Sequence, residues 1–102
     1  MTLKIRYVQS GGFAGLIRGC VLDAASLAPT AAAVLKRLVE AVLLAKVTTA
    51  RTQGAADLRV HDFAIETDAG TLHLSFDDIT LPKVLKPLVA FLARRSRPMP
   101  PS

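Results

Sequence analysis

Leu3-Lys4-Ile5-Arg6-Tyr7-Val8-Gln9-Ser10 alternates: Leu3, Ile5 and Tyr7 point one way, and Lys4, Arg6 and Val8 point the other. That period of two is the signature of a half-buried strand. Ser10-Gly11-Gly12-Phe13-Ala14-Gly15 then interrupts the pattern with three glycines in six residues, and Leu16 to Leu22 resumes a strand. Two strands joined by a short glycine-rich stretch read as a hairpin, with glycine supplying the positive φ that a tight connection needs.

Further on, Asp23 to Ala28 reads as a connection in which Ser26 can cap a helix, and Pro29 suits that helix's first turn. Val34, Leu35, Leu38, Val39 and Val42 recur at steps of one, three and four and form one apolar stripe, with Lys36, Arg37 and Glu40 on the opposite side. This helix is expected to end near Leu44 or Ala45. Lys46 to Ala56 is polar and aperiodic, a loop crossing the domain. Leu58 to Thr67 and Thr71 to Phe76 read as a second hairpin around Asp68-Ala69-Gly70, with Phe63, Ile65, Leu72, Leu74 and Phe76 inward. Asp77 and Asp78 end it, and Thr80 or Asp78 can cap the last helix, whose stripe is Leu85, Leu88, Val89 and Leu92. Pro87 leaves two arrangements open: a kinked helix from Pro82, or a separate turn over 82–86 with Pro87 opening the regular helix. Arg97 to Ser102 holds three prolines and is expected to be a disordered tail.

The expected fold is therefore α+β, in the order strand-strand-helix-strand-strand-helix. Residues 1–96 form one domain, a four-stranded, mainly antiparallel sheet with both helices on one face. The chain of 102 residues, 51% hydrophobic but only 5% aromatic, is long enough for one thin core. Its longest uncharged run, Ala24 to Leu35, is broken by Pro29 and is too short to span a bilayer. No apolar signal segment follows Lys4 and Arg6, so a soluble cytoplasmic protein, monomer or weak dimer, is expected.

The net charge of +5 is uneven. Residues 1–78 are formally neutral, and the surplus is Lys83, Lys86, Arg94, Arg95 and Arg97. A nucleic-acid protein commonly spreads its basic groups over a binding face with aromatics that stack on bases. Here they sit on one helix and a tail without Tyr or Trp. Binding of nucleic acid or an acidic surface through that helix is the alternative function.

Little in the chain points to catalysis. His61 shares parity with Phe63 and Ile65 and should face inward, whereas His73 is out of phase with Leu72 and Leu74 and should face solvent; opposite faces cannot hold one metal. Asp77 and Asp78 are adjacent strand residues pointing apart, better read as caps than as a carboxylate pair. Cys20, the single cysteine, excludes an internal disulfide and reads as a small buried side chain. No phosphate-cradling glycine loop precedes a helix. No metal, cofactor or enzymatic activity is expected.

Ser10 to Gly15 carries two readings. Gly11, Gly12 and Gly15 turn the hairpin while Phe13 folds onto the core, or Phe13 is presented to a partner. Burial of Phe13 in a partner's pocket would return roughly 1.5–3 kcal/mol, and bare glycine backbone lets another chain approach closely.

Ser10-Gly11-Gly12-Phe13-Ala14-Gly15 directly after an N-terminal strand resembles the opening of the emfourin family, small bacterial inhibitors of thermolysin-like zinc metallopeptidases such as protealysin. The resemblance continues in order through Val21-Leu22-Asp23, Leu38-Val39-Glu40-Ala41, Gly54-Ala55-Ala56-Asp57, Asp77-Asp78, Leu81-Pro82, Leu85-Lys86-Pro87-Leu88 and Phe91-Leu92. It implies stoichiometric inhibition of a thermolysin-like metallopeptidase of the same organism. The residues then expected to contact the enzyme are Ser10, Gly11, Gly12, Phe13, Ala14, Gly15 and Leu16.

Overall fold

The alternation of Leu3, Ile5 and Tyr7 with Lys4 and Arg6 becomes strand β1, Leu3–Gly11, with the three apolar side chains buried and the two basic ones exposed. The structure is a computed structural model that describes residues 2–11, 17–54 and 57–99. β1 lies between β2 (Arg18–Asp23) and β3 (Arg59–Thr67), antiparallel to both, and β4 (Gly70–Asp77) pairs with β3. Rungs such as Ile5↔Ile65 and Tyr7↔Phe63 align the apolar sets of neighbouring strands on one face.

That face is covered by α1 (Pro29–Ala45) and α2 (Lys86–Ala93). α1 contributes Ala32, Leu35, Val39 and Val42 to the core, with Leu38 partly buried. Leu85, Leu88 and Leu92 contribute from the second helical segment. The arrangement at Pro87 is the second of the two left open. Lys83–Leu85 is a separate 3₁₀ turn, and Pro87 sits in the first turn of α2, where its missing N–H costs nothing.

Three expectations need correction. The sheet has five strands, in the order β4-β3-β1-β2-β5, because Arg97–Pro98, assigned above to a disordered tail, forms β5. Its rungs are Arg18↔Pro98 and Gly19↔Arg97, and the Met99 amide donates to the Ile17 carbonyl at 2.8 Å. Proline is compatible with such a place because an edge strand needs hydrogen bonds on one side only. Ser26 does not cap α1: it lies in a 3₁₀ turn, Ala24–Ser26, that Asp23 caps by accepting from the Ala25 amide at 3.0 Å. Neither Thr80 nor Asp78 caps the last helix, since the turn at Lys83 begins after Pro82 without a side-chain cap.

The polar stretch after α1 has work to do at the sheet's other edge. The Ala50 amide donates to the Ser75 carbonyl (3.2 Å), the Ser75 amide donates to Thr49 Oγ1 (3.1 Å), and Ala50 forms a parallel bridge with Phe76. An edge strand with unpaired backbone groups invites pairing with other chains, and this loop occupies the amide and carbonyl of Ser75 on β4.

Candidate functional site

The glycine-rich loop emerges at one end of the sheet. Ser10 and Gly11 are the last residues of β1, whereas Gly12, Phe13, Ala14, Gly15 and Leu16 lie outside the described residues. The two flanks are held by different strands. The β1–β2 ladder reaches only Gln9↔Arg18, but β1 continues along β3 through Ser10↔Val60 and Gly11↔Arg59. On the other flank, Ile17 and Arg18 are held by β5 and Met99. Gly11 has φ +86°, and a Cβ there would stand 2.7 Å from the Leu58 carbonyl oxygen. Only glycine both turns the chain and leaves room for the backbone beside it.

Beneath this end lies a polar chain through the core. The Tyr7 hydroxyl lies 2.7 Å from His61 Nδ1, His61 Nε2 lies 2.8 Å from Asp78 Oδ1, and Arg59 Nε donates to Asp78 Oδ2 at 3.0 Å. A carboxylate only accepts, so Nε2 carries a hydrogen and, in the neutral ring, the Tyr7 hydroxyl donates to Nδ1. His61 is 3% exposed, inward as its parity implies, and His73 is exposed. Burial pushes the Tyr7 hydroxyl up to about 12. Burial alone would raise the Asp78 carboxyl, but hydrogen bonds from His61 and Arg59 and the Arg59 charge hold it below its ordinary value. The chain joins β1, β3 and the end of β4, so it ties β1, the strand that leads into the loop, to its neighbours.

Asp77 locks the adjoining turn. Its Oδ1 accepts from the amides of Ile79 (2.8 Å) and Thr80 (2.9 Å), and its Oδ2 accepts from the Thr52 amide. Its own amide donates to Thr80 Oγ1 at 3.0 Å, and that hydroxyl donates to the Ala50 carbonyl at 2.6 Å. At 2% exposure, burial works against the charge, yet the donors from Thr52, Thr80 and Ile79 outweigh it and hold the carboxyl well below the usual carboxylate range. A depressed folded value means that the stabilisation is complete above the unfolded carboxylate's value and is lost as pH falls through the folded one. Asp77→Asn places an NH₂ group against the Thr52 amide. It should lower the melting temperature at neutral pH, and its gap to the wild type should narrow below about pH 4, where the wild type begins to lose this contribution. A gap constant from neutral to acid pH in thermal melts would contradict this role.

The basic groups do not form one stripe. Lys83 and Lys86 stand at the start of the last helical segment, and Arg94, Arg95 and Arg97 stand beyond its end, across the length of α2, about 12 Å. Arg95 lies over the Phe91 ring, 3.8 Å from its centroid, and donates to the Phe91 carbonyl at 3.1 Å, serving the helix's own C-terminus. Cys20 is buried, its thiol pushed up by burial, and it donates to the Leu92 carbonyl at 3.6 Å. Among the described residues no group of three or more His, Cys, Asp or Glu is placed to hold a metal ion, and no helix is long and apolar enough to cross a membrane.

Among known families, the Emfourin model matches residues 7–93, and the chain belongs to that family, a family of metallopeptidase inhibitors. No curated protein and no solved structure matches the chain.

Proposed function

We propose that this protein is a stoichiometric inhibitor of a thermolysin-like zinc metallopeptidase of the same organism, and that the Ser10–Leu16 loop blocks the enzyme's cleft. The single observation that favours the loop is its anchorage: β3 continues to hold Ser10 and Gly11, and β5 with Met99 holds Ile17 and Arg18. A loop fixed at both flanks loses little conformational entropy on docking, which favours tight binding and slow cleavage. Thermolysin-like enzymes accept an apolar side chain just beyond the scissile bond, and Phe13, or Leu16 behind it, fills that pocket. The loop backbone lies against the cleft edge at Gly11 and Gly12, and Ser10 hydrogen-bonds to it. In the cytoplasm, such an inhibitor protects the cell from prematurely active enzyme. Arg94, Arg95 and Arg97 steer the approach to an acidic enzyme surface and affect the association rate more than the affinity.

The test is a titration. Adding the purified protein to a thermolysin-like peptidase from the same genome should abolish hydrolysis of a peptide substrate near one equivalent. Hydrolysis unchanged at severalfold molar excess overturns the assignment for that enzyme.

A further inference from the structure

At the end of the sheet that carries the loop, an isoleucine stands in the open. Ile79 is 69% exposed, in a turn whose other residues are Asp77, Asp78 and Thr80. That turn is tied down from both sides: Asp77 accepts from the Ile79 and Thr80 amides, Thr80 Oγ1 reaches the Ala50 carbonyl, and the Leu81 amide donates to the Asp77 carbonyl at 3.0 Å. The Asp78 amide donates to the Arg59 carbonyl at 3.1 Å, and Arg59 is the rung partner of Gly11. Asp78 therefore lies two strand spacings from Gly11, about 10 Å, and Ile79 follows it directly. An interface of ordinary size spans both positions.

We propose that Ile79 is a second anchor of the surface that meets the peptidase, seated in an apolar depression on the rim of the enzyme's cleft while the loop enters it. The proposal rests on the inhibitor reading above. Its warrant is exposure and rigidity at a position beside the flank of the loop, a combination that Val21 and Leu44 lack. The hydrogen bonds of Asp77 and Thr80 hold the backbone that presents Ile79, so docking it orders little beyond its own side chain. Of the four other large apolar residues exposed among the described residues, the two most exposed, Val21 and Leu44, serve as controls. Val21, 63% exposed, is opposite Arg6 on the sheet's uncovered face. Leu44, 82% exposed, lies in the last turn of α1, where its neighbour Leu43 lines a depression with Thr67, Asp68 and Ala69 at the sheet's other end.

The inhibition constant against a thermolysin-like peptidase from the same genome is measured for the wild type, Ile79→Ala, Ile79→Asp, Val21→Asp and Leu44→Asp, with a thermal melt of each. Ile79→Ala should weaken inhibition about tenfold and Ile79→Asp more, at wild-type melting temperature, with the two controls unchanged. Ile79→Thr, which keeps the β-branch but is smaller and polar, replaces Ile79→Asp if the acid disturbs the turn, and it too should weaken inhibition. Wild-type potency in the folded Ile79 variants, or an equal loss in the Val21 or Leu44 variant, overturns the second anchor while the inhibitor reading stands. A wild type without effect on hydrolysis overturns both.

Discussion

Phe13→Ala raises the inhibition constant about a hundredfold and leaves the melting temperature where it was. This is the expected result if the ring is the anchor of the loop, because truncation of a central aromatic at a protein interface commonly costs 2 kcal/mol or more (roughly thirtyfold and upward). The opposite pair of results, full potency with a melting temperature lowered by several degrees, would make Phe13 part of the protein's own interior. Inhibition assays and melts on one preparation therefore separate the two readings of the glycine-rich stretch. Gly12→Val should weaken inhibition in the same way, by thickening a backbone meant to lie against the enzyme. Neutralising Arg94, Arg95 and Arg97 together should leave potency nearly intact, whereas polyanion binding through those groups would fall steeply with salt.

The largest loss of stability is expected at Gly19, a buried position in β2. A Cβ built there falls inside contact distance of both the Tyr7 carbonyl oxygen and Met99 Sδ. The methionine can swing aside, but the carbonyl belongs to the middle of β1, whose Tyr7 side chain is wholly buried. Gly19→Val must therefore pry β2 from β1 or displace the core. A cost of about 3–5 kcal/mol is expected, a large part of the stability of a domain this size. The melting temperature should fall by roughly 15 °C or more, or the variant should fail to accumulate as folded protein. Gly54→Ala is the contrast. Its φ is +73° but nothing lies within 4 Å of an added Cβ, so only backbone strain of about 1 kcal/mol is expected. Melts of the two variants that coincide would contradict the steric account.

The elements visible in the sequence are those written in local periodicity. Leu3, Ile5 and Tyr7 at steps of two, and Leu35, Val39 and Val42 at steps of three and four, become the buried faces of β1 and α1. Parity likewise put His61 inside and His73 outside. What escaped depends on register. Parity assigns Tyr7 and His61 to one face, but their hydrogen bond needs β1 and β3 to be neighbours, and those residues are 54 apart in the chain. Arg97–Pro98 carries no strand signal of its own, being two residues long with a proline, and is a strand only because β2 offers an edge. Asp77 was legible as a strand end, but not as the acceptor of the Thr52 amide arriving from the loop that borders β4. As for the site, the glycines and Phe13 mark the loop in the sequence, whereas Ile79 becomes notable only when the sheet order puts its turn on the same side as that loop.

The placement of Thr2 and Met99 has a practical corollary for anyone attaching a fluorophore or an affinity handle. The Thr2 amide donates to Asp68 Oδ1 at 3.0 Å, at the end of the sheet away from Gly11. The Met99 amide donates to the Ile17 carbonyl at 2.8 Å, next to the Ser10–Leu16 stretch. A label carried at Thr2 therefore stands clear of the surface proposed to meet the peptidase, whereas one carried at Met99 stands beside it.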